Sequence, residues 1–479
     1  MNVEDLPFCS VAELGILIRR REISPSELTR LYLERLDTIG RRLNAVVTLT
    51  DDVAMAEAAL ADSEIIRGLD RGPLHGIPYG LKDIIATGGV PTSWGAEPFR
   101  DQVFPYDATV VSRLRNAGAI HLAKLATIEL AGGMGYDHPN ATFTGATANP
   151  WDTTTWSAGS SSGPSAAVAA GAVPFAIGSD TSGSILLPAA WTGTAGLRAT
   201  YGRVSRFGAM SLCWTLDRLG PICRTAEDCG LVLGAIAGPD PRDASTIPDA
   251  YRYHHRRPKG GFRFGALAGA AAGVEPEIAT NYERSLTLLA TVGQVEEVTL
   301  PDLPYAEVID VISAAETFAA FDDFLAAGRT LELTAQKART HRLAGALLPA
   351  HEYIRAQRIR RHIATAVNDL LCGFDAVVAP TIGAFASGLD EVFEYMLPGA
   401  FPQPINYAGV LAGSPTISIA NGFGENGLPT SIQFAGARLA ENSVLSAASA
   451  LEDLLDLPPR RPPVDAALQT PTDGGERHA

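Results

Sequence analysis

Apolar residues recur at helical spacing through the first seventy positions. Leu28, Leu31, Leu33 and Leu36 stripe one face behind Ser24-Pro25-Ser26-Glu27, where serine and glutamate three apart read as a capped helix start. Asp107 reads as the N-cap of a helix over 108–117 whose Val110, Val111 and Leu114 share a face, and Gly118 as its stop. The run at 120–123 then reads as a strand, with His121 opposite Ile120 and Leu122 in a structural role. Pro164 fits the first turn of a small-residue helix over 165–170 closed by Gly171. A short buried strand over 173–177 feeds a tight turn, Thr181-Ser182-Gly183, and a helix that starts near Ser184.

The second half changes character. A strand over 262–267 precedes helical patterns near 277–292, 306–327, 331–345 and 351–371. Strands return at 375–381, and 415–419 and 431–434 are spaced as a hairpin around Gly427-Leu428-Pro429. Helices alternating with strands predict an α/β fold with strands from both ends of the chain in one sheet. No internal repeat or linker divides it. Residues 1–70 read as an N-terminal helical segment of the same domain and 71–458 as its core, with a helical insertion on the substrate side at about 270–372. Residues 459–479 read as a Pro-rich flexible tail.

Composition narrows the function. Apolar residues are 46% of the 479, enough to bury a large core, and the net charge of −15 speaks against a nucleic-acid surface. Five cysteines without CxxC spacing suit a reducing compartment, and no apolar stretch is long enough to span a bilayer. A cytoplasmic protein is the expectation.

Two Ser/Gly runs and one lysine carry the candidate chemistry. Ser160 lies in Ala158-Gly159-Ser160-Ser161-Ser162-Gly163, and Ser184 closes Gly178-Ser179-Asp180-Thr181-Ser182-Gly183-Ser184. Upstream, Lys82 sits among Ile77, Leu81, Ile84 and Ile85. A lysine desolvated by such neighbours is neutral and can serve as a base, which a serine hydroxyl needs before it becomes a nucleophile. Ser184, where a strand gives way to a helix, is the expected nucleophile, with Ser160 as proton relay. The N–H groups of Thr181, Ser182, Gly183 and Ser184 form the expected oxyanion hole. Asp83 is not the expected partner of Lys82, since successive side chains of an extended segment point to opposite faces. A rival exists, because Gly159-Ser160-Ser161-Ser162-Gly163 also fits GxSxG with Ser161 as nucleophile. That pattern needs a strand before it and a histidine partner. The segment 151–156 is a poor strand, and His341, His351 and His362 lie in helical patterns. No metal or cofactor motif is present, and no cofactor is expected.

These stretches resemble the amidase signature family over most of the chain. The match runs through Gly76-Ile77-Pro78 to Lys82-Asp83, Pro105-Tyr106-Asp107, Asn149-Pro150-Trp151-Asp152, both Ser/Gly runs, Gly196-Leu197-Arg198 and Leu216-Asp217 with Gly220-Pro221. It is weakest between about 240 and 370. The resemblance implies a single α/β domain built on a central mixed sheet flanked by helices. It also implies a triad of Lys82 as base, Ser160 held by a cis peptide as relay, and Ser184 as nucleophile, with Met134 as a substrate contact. Ala158, Ser162 and Ser182 stand where most members have glycine, and Leu186 where many have arginine. The missing arginine argues against charged substrates. With Met210, Leu212, Cys213 and Trp214 nearby, it predicts an apolar pocket for a neutral amide, anilide or carbamate (urethane), as in an aryl acylamidase. Two alternatives stand: the ammonia-releasing component of a glutamine amidotransferase working in tRNA-linked amidation, and a non-catalytic binding protein on this scaffold. The expected partner is a small-molecule amide or carbamate, without nucleic acid or membrane, and a homodimer stays open.

Overall fold

The computed structural model describes residues 3–392, 404–455 and 461–466. Strands β1 (Val46–Leu49), β2 (Pro78–Lys82), β3 (Ile120–Leu125), β4 (Phe175–Asp180), β5 (Ala195–Arg198) and β6 (Arg218–Cys223) come from the first half of the chain. The second half supplies β7 (Phe262–Leu267), β8 (Gly293–Val298), β9 (Ala376–Pro380), β10 (Thr416–Phe423) and β11 (Pro429–Ala435). All lie in one sheet of order β1-β3-β2-β4-β6-β5-β10-β11-β9-β7-β8. The β2–β3, β2–β4, β7–β8 and β7–β9 pairs are parallel and the rest antiparallel, so the sheet is mixed and draws on both ends of the chain.

The helices are α1 (Val11–Arg19), α2 (Pro25–Arg35), α3 (Asp51–Ile66), α4 (Thr109–Asn116), α5 (Ser162–Ala169), α6 (Leu186–Thr192) and α7 (Ala226–Ile236). Later come α8 (Pro276–Leu289), α9 (Tyr305–Ala320), α10 (Asp322–Ala326), α11 (Ala350–Leu371), α12 (Pro404–Ala412), α13 (Glu441–Leu455) and α14 (Pro463–Ala466). Among the described residues, no helix is long and apolar enough to cross a membrane. Of the 459–479 tail only 461–466 are described, with α14 in them; the rest of that expectation lies outside the described residues.

Local chemistry accounts for most element ends. Ser24 caps α2 with a reciprocal Glu27 contact, and Gly118 adopts φ +78° one residue beyond the C-cap of α4. Four expectations change. The insertion at about 270–372 is not all helical, because β8 lies within it and pairs with β7. Asp107 does not cap α4; its carboxylate accepts from the Gly88 N–H and Arg115, and the helix starts at Thr109. The first seventy residues are not all helical, because β1 pairs with β3 at the sheet edge. The 331–345 stretch is not a helix but a series of short 3-10 turns, Arg329–Glu332, Lys337–Arg339 and His341–Leu347. There the N–H groups of Thr334 and Ala335 donate to the Glu129 carboxylate at 2.9 and 2.9 Å, a tertiary partner in place of an i−4 carbonyl.

β2 and β4 are parallel neighbours, and their C-terminal ends carry Lys82 and Asp180 to the same rim of the sheet. Helix α5 begins inside the first Ser/Gly run, at Ser162, and α6 just after the second, at Leu186. Functional groups are thereby set at the strand ends, where the backbone leaves the ladder.

Candidate active site

Lys82 ends β2 with no exposed surface. Its Nζ lies 2.7 Å from Ser160 Oγ and 2.8 Å from Ser179 Oγ. Burial pushes its pKa down to about 7, against an opposing pull from Asp180 and then Asp217. A neutral amine keeps two N–H groups and one lone pair, so it can donate to Ser179 and accept from Ser160. Asp83 is turned away: it takes hydrogen bonds from Ser93 and faces Lys124 at 3.5 Å. His121 is buried against Tyr79, bonded to the Ala123 carbonyl, and held down to about 3 by burial.

The Gly159–Ser160 peptide is cis. The Ser160 carbonyl accepts from Thr127 Oγ1 at 2.9 Å, which fixes the run against the end of β3. Ser161, the rival nucleophile, is fully buried; its Oγ donates to the Ser179 carbonyl at 3.1 Å. It follows no strand and faces no histidine in these contacts, so GxSxG is here a helix entry rather than a nucleophile elbow. The Ser161 N–H donates to the Ser184 carbonyl at 3.2 Å, laying the two Ser/Gly runs side by side.

Ser184 is half-buried and lines a cavity of about 370 Å³, together with Gly159, Thr181, Ser182 and Gly183. The turn before it is organised by Asp180. That carboxylate accepts from the N–H groups of Gly183 (2.8 Å) and Ile185 (2.9 Å) and faces Arg198 at 3.4 Å. Gly183 adopts φ +137°, which a side chain would resist. Its N–H is therefore directed at Asp180 rather than at the cavity, which narrows the expected oxyanion donors to Thr181, Ser182 and Ser184. Asn406 completes the frame, donating to the Ser182 carbonyl at 3.0 Å and accepting from Arg198 at 2.6 Å.

Asp180 and Arg198 have no exposed side-chain surface. Asp180→Ala leaves a buried guanidinium without its counter-charge, a change that costs about 3–5 kcal/mol. Chemical denaturation is expected to show that loss, with Asp180→Asn falling between Asp180→Ala and the wild type.

The expected substrate contacts separate. Leu212 lines the cavity of Ser184. Met210 and Trp214 line a neighbouring cavity of about 210 Å³ that shares Ala131, Thr181 and Leu212 with the first. Met134 is 1% exposed and does not line either; its neighbours Gly133 and Gly135 line the first. Leu186, also 1% exposed, packs inward, and Leu187 is the residue of that turn on the cavity wall. His341, expected to be structural in a helix, stands at the mouth of the cavity with Lys337 and Asp310. Small and apolar residues alternate with hydroxyls along the wall of this cavity, and charged groups stand at its exposed rim. Among the described residues no cluster of three or more His, Cys, Asp and Glu is arranged for a metal ion.

Comparison with known proteins gives the family and the fold. The family model described as Amidase aligns with residues 27–445. The glutamyl-tRNA(Gln) amidotransferase A-subunit of Moorella thermoacetica is 36% identical over 97% of this chain and 100% of that protein. The structure of native peptide amidase from Stenotrophomonas maltophilia superposes with a TM-score of 0.83 and 32% identity, covering 95% of this chain and 98% of that one. A bacterial aryl acylamidase described as one of the amidase signature enzymes gives a TM-score of 0.82 and 25% identity, over 93% and 96% of the two chains.

Proposed function

We propose that this chain, which belongs to the amidase family, hydrolyses neutral amides, anilides or carbamates through an acyl-enzyme on Ser184. Membership makes it a hydrolase of carbon–nitrogen bonds; the substrate class and the residue roles are the proposal. The observation that carries it is the fully buried Lys82 amine 2.7 Å from Ser160 Oγ, on the strand beside the one that leads into Ser184.

In this reading neutral Lys82 takes the Ser160 proton as Ser160 takes that of Ser184, and Ser184 Oγ bonds to the carbonyl carbon. The oxyanion is met by the N–H groups of the 181–184 turn other than Gly183. The proton on Lys82 returns through Ser160 to the nitrogen, the C–N bond breaks, and the amine leaves. Water then loses a proton to the same relay and attacks the ester, and Ser184 recovers its hydrogen as the acid departs. A carbamate follows the same steps. A fluorophosphonate probe should label Ser184, and a panel of anilides, carbamates, primary amides and glutamine should show turnover of the neutral aryl members. Absence of both labelling and turnover would instead favour a binding protein on this scaffold.

The uncharged wall of the cavity, with its charged groups confined to the rim, supports the neutral substrate class. Leu187→Arg brings a guanidinium onto that wall. It is expected to lower kcat/KM for neutral anilides about 10-fold or more and to improve carboxylated analogues relative to them, as an added ion-pairing group does. An unchanged preference in paired kinetics would remove the cavity from the account of specificity.

A second reading is supported by the full-length 36% identity to the glutamyl-tRNA(Gln) amidotransferase A-subunit. In it the chain releases ammonia from glutamine for a second protein that uses it. Copurification of such a protein with glutaminase activity, and glutamine as the best amide of the panel, would favour it.

A further inference from the structure

Five donors converge on the carboxylate of Glu316, a residue of α9 that is 6% exposed and outside every sequence motif. Oε2 accepts from Cys213 Sγ at 3.1 Å and the Thr215 N–H at 3.0 Å. Oε1 accepts from Thr215 Oγ1 at 2.7 Å, Tyr353 OH at 2.9 Å and Gln357 Nε2 at 3.2 Å. Burial, and then the Glu316 charge, push the Cys213 thiol well above its ordinary range, so it stays protonated and donates.

The segment held this way forms one wall of the substrate cavity. Leu212 and Cys213 line it, and α9 lines it from the helical side with Ile309, Ser313 and Thr317. Residues 211–215 belong to no strand, so their N–H groups need partners from elsewhere. Two carboxylates supply them. From the sheet side, Asp217 Oδ2 accepts from the N–H groups of Leu212 and Cys213, each at 2.8 Å. Its other oxygen accepts from Thr181 Oγ1 at 2.7 Å, in the turn that leads to Ser184. From the helical side, Glu316 holds Cys213 and Thr215, and Arg360 of α11 donates to the Thr215 carbonyl at 2.8 Å. A continuous bridge thus runs from the Ser184 turn through Asp217, the 212–215 segment and Glu316 to α9 and α11.

We propose that Glu316 is a positioning residue that sets the width of the substrate cavity and so selects amides by the size of the group they place in it. The proposal rests on Ser184 being the nucleophile. A charged acceptor suits the position because five donors facing one apolar side chain would be left buried without partners. Glu316 touches neither Ser184 nor the reacting carbonyl in this scheme. It acts through Leu212 and Cys213.

The test compares Glu316→Gln and Thr215→Val with wild type on a cavity-filling anilide and a short aliphatic primary amide, with the labelling rate of Ser184 by a small fluorophosphonate as a third readout. The first variant keeps the volume of the side chain, and the second removes one donor without touching α9. For the anilide, kcat/KM is expected to fall about 10- to 100-fold, the scale of an ångström-level misplacement of the substrate, with most of the loss in KM. The short amide and the labelling rate should change little. Parallel loss on both substrates together with slowed labelling would overturn the proposal, because a general loss of structure predicts that pattern. Unchanged anilide kinetics in both variants would overturn it as well. Wild-type protein that never takes the phosphonate would overturn the parent reading, and this one with it.

Discussion

Ser184→Ala is expected to lower turnover of every accepted amide by about 10⁴-fold or more, the scale seen when the nucleophile of a serine hydrolase is removed. Stability should stay within roughly 0.5 kcal/mol of wild type. The residue is half-buried on the cavity wall, and what organises its turn is the Asp180 carboxylate together with the Asn406 contact to the Ser182 carbonyl. Deleting the hydroxyl leaves those contacts in place. Single-turnover assays with an anilide and a covalent phosphonate label read the two aspects separately: no acylation and no label, on a protein that melts as wild type does. Label appearing on Ser161 or Ser160 in the variant would move the nucleophile to the other Ser/Gly run.

Much of this site was legible because its residues are concentrated in short motifs. Ser160 and Ser184 lie in glycine- and serine-rich stretches, and Lys82 among apolar residues that mark its amine for burial. What escaped was set by distance along the chain or by rotation about it. The frame around Ser184 joins Asp180 to Arg198, and Arg198 to Asn406 208 residues later, a pairing no local pattern announces. Glu316 meets Cys213 across 103 residues in the same way. Leu186 and Leu187 are chemically alike, and only the start of α6 decides which of them faces the cavity. The same one-residue margin separates Met134 from Gly133 and Gly135.

Secondary structure divided along similar lines. Helices with caps and an apolar stripe, such as α2, and the strand at 262–267 follow from local pattern. Strands β5 and β6 are buried at every position, so they carry no alternation of polar and apolar residues to mark them. The 329–347 stretch has helical composition, yet it breaks at Thr334 and Ala335, whose N–H groups meet Glu129 instead of their own turn. Burial on both faces and tertiary hydrogen bonds outweighed propensity in these places.

The two strongest constraints on Lys82 pull in opposite directions, and Lys82→Met should separate them. The proposed relay needs the amine neutral, and with a pKa of about 7 it is so above neutrality. For wild type, kcat/KM is therefore expected to fall about tenfold per pH unit below 7 and to level off above it. In Lys82→Met that dependence should vanish along with about 10⁴-fold or more of the rate. Stability should move the other way. The folded-state pKa lies below the ordinary value of 10.5, so between about pH 7 and 10.5 the unfolded chain binds more protons at this group than the folded one. The group's contribution to stability consequently rises with pH through that window and is at its least favourable at and below pH 7. Replacing it with an unbranched apolar side chain removes this penalty, on the order of a few kcal/mol at pH 7, offset in part by the Ser160 and Ser179 hydroxyls that lose their partner. An inactive variant that melts at a higher temperature than wild type at pH 7, with the difference shrinking toward pH 10, is the expected result. A stability difference that stays constant across that range would mean that the amine is charged where it sits, and a charged amine at this position cannot start the proton relay.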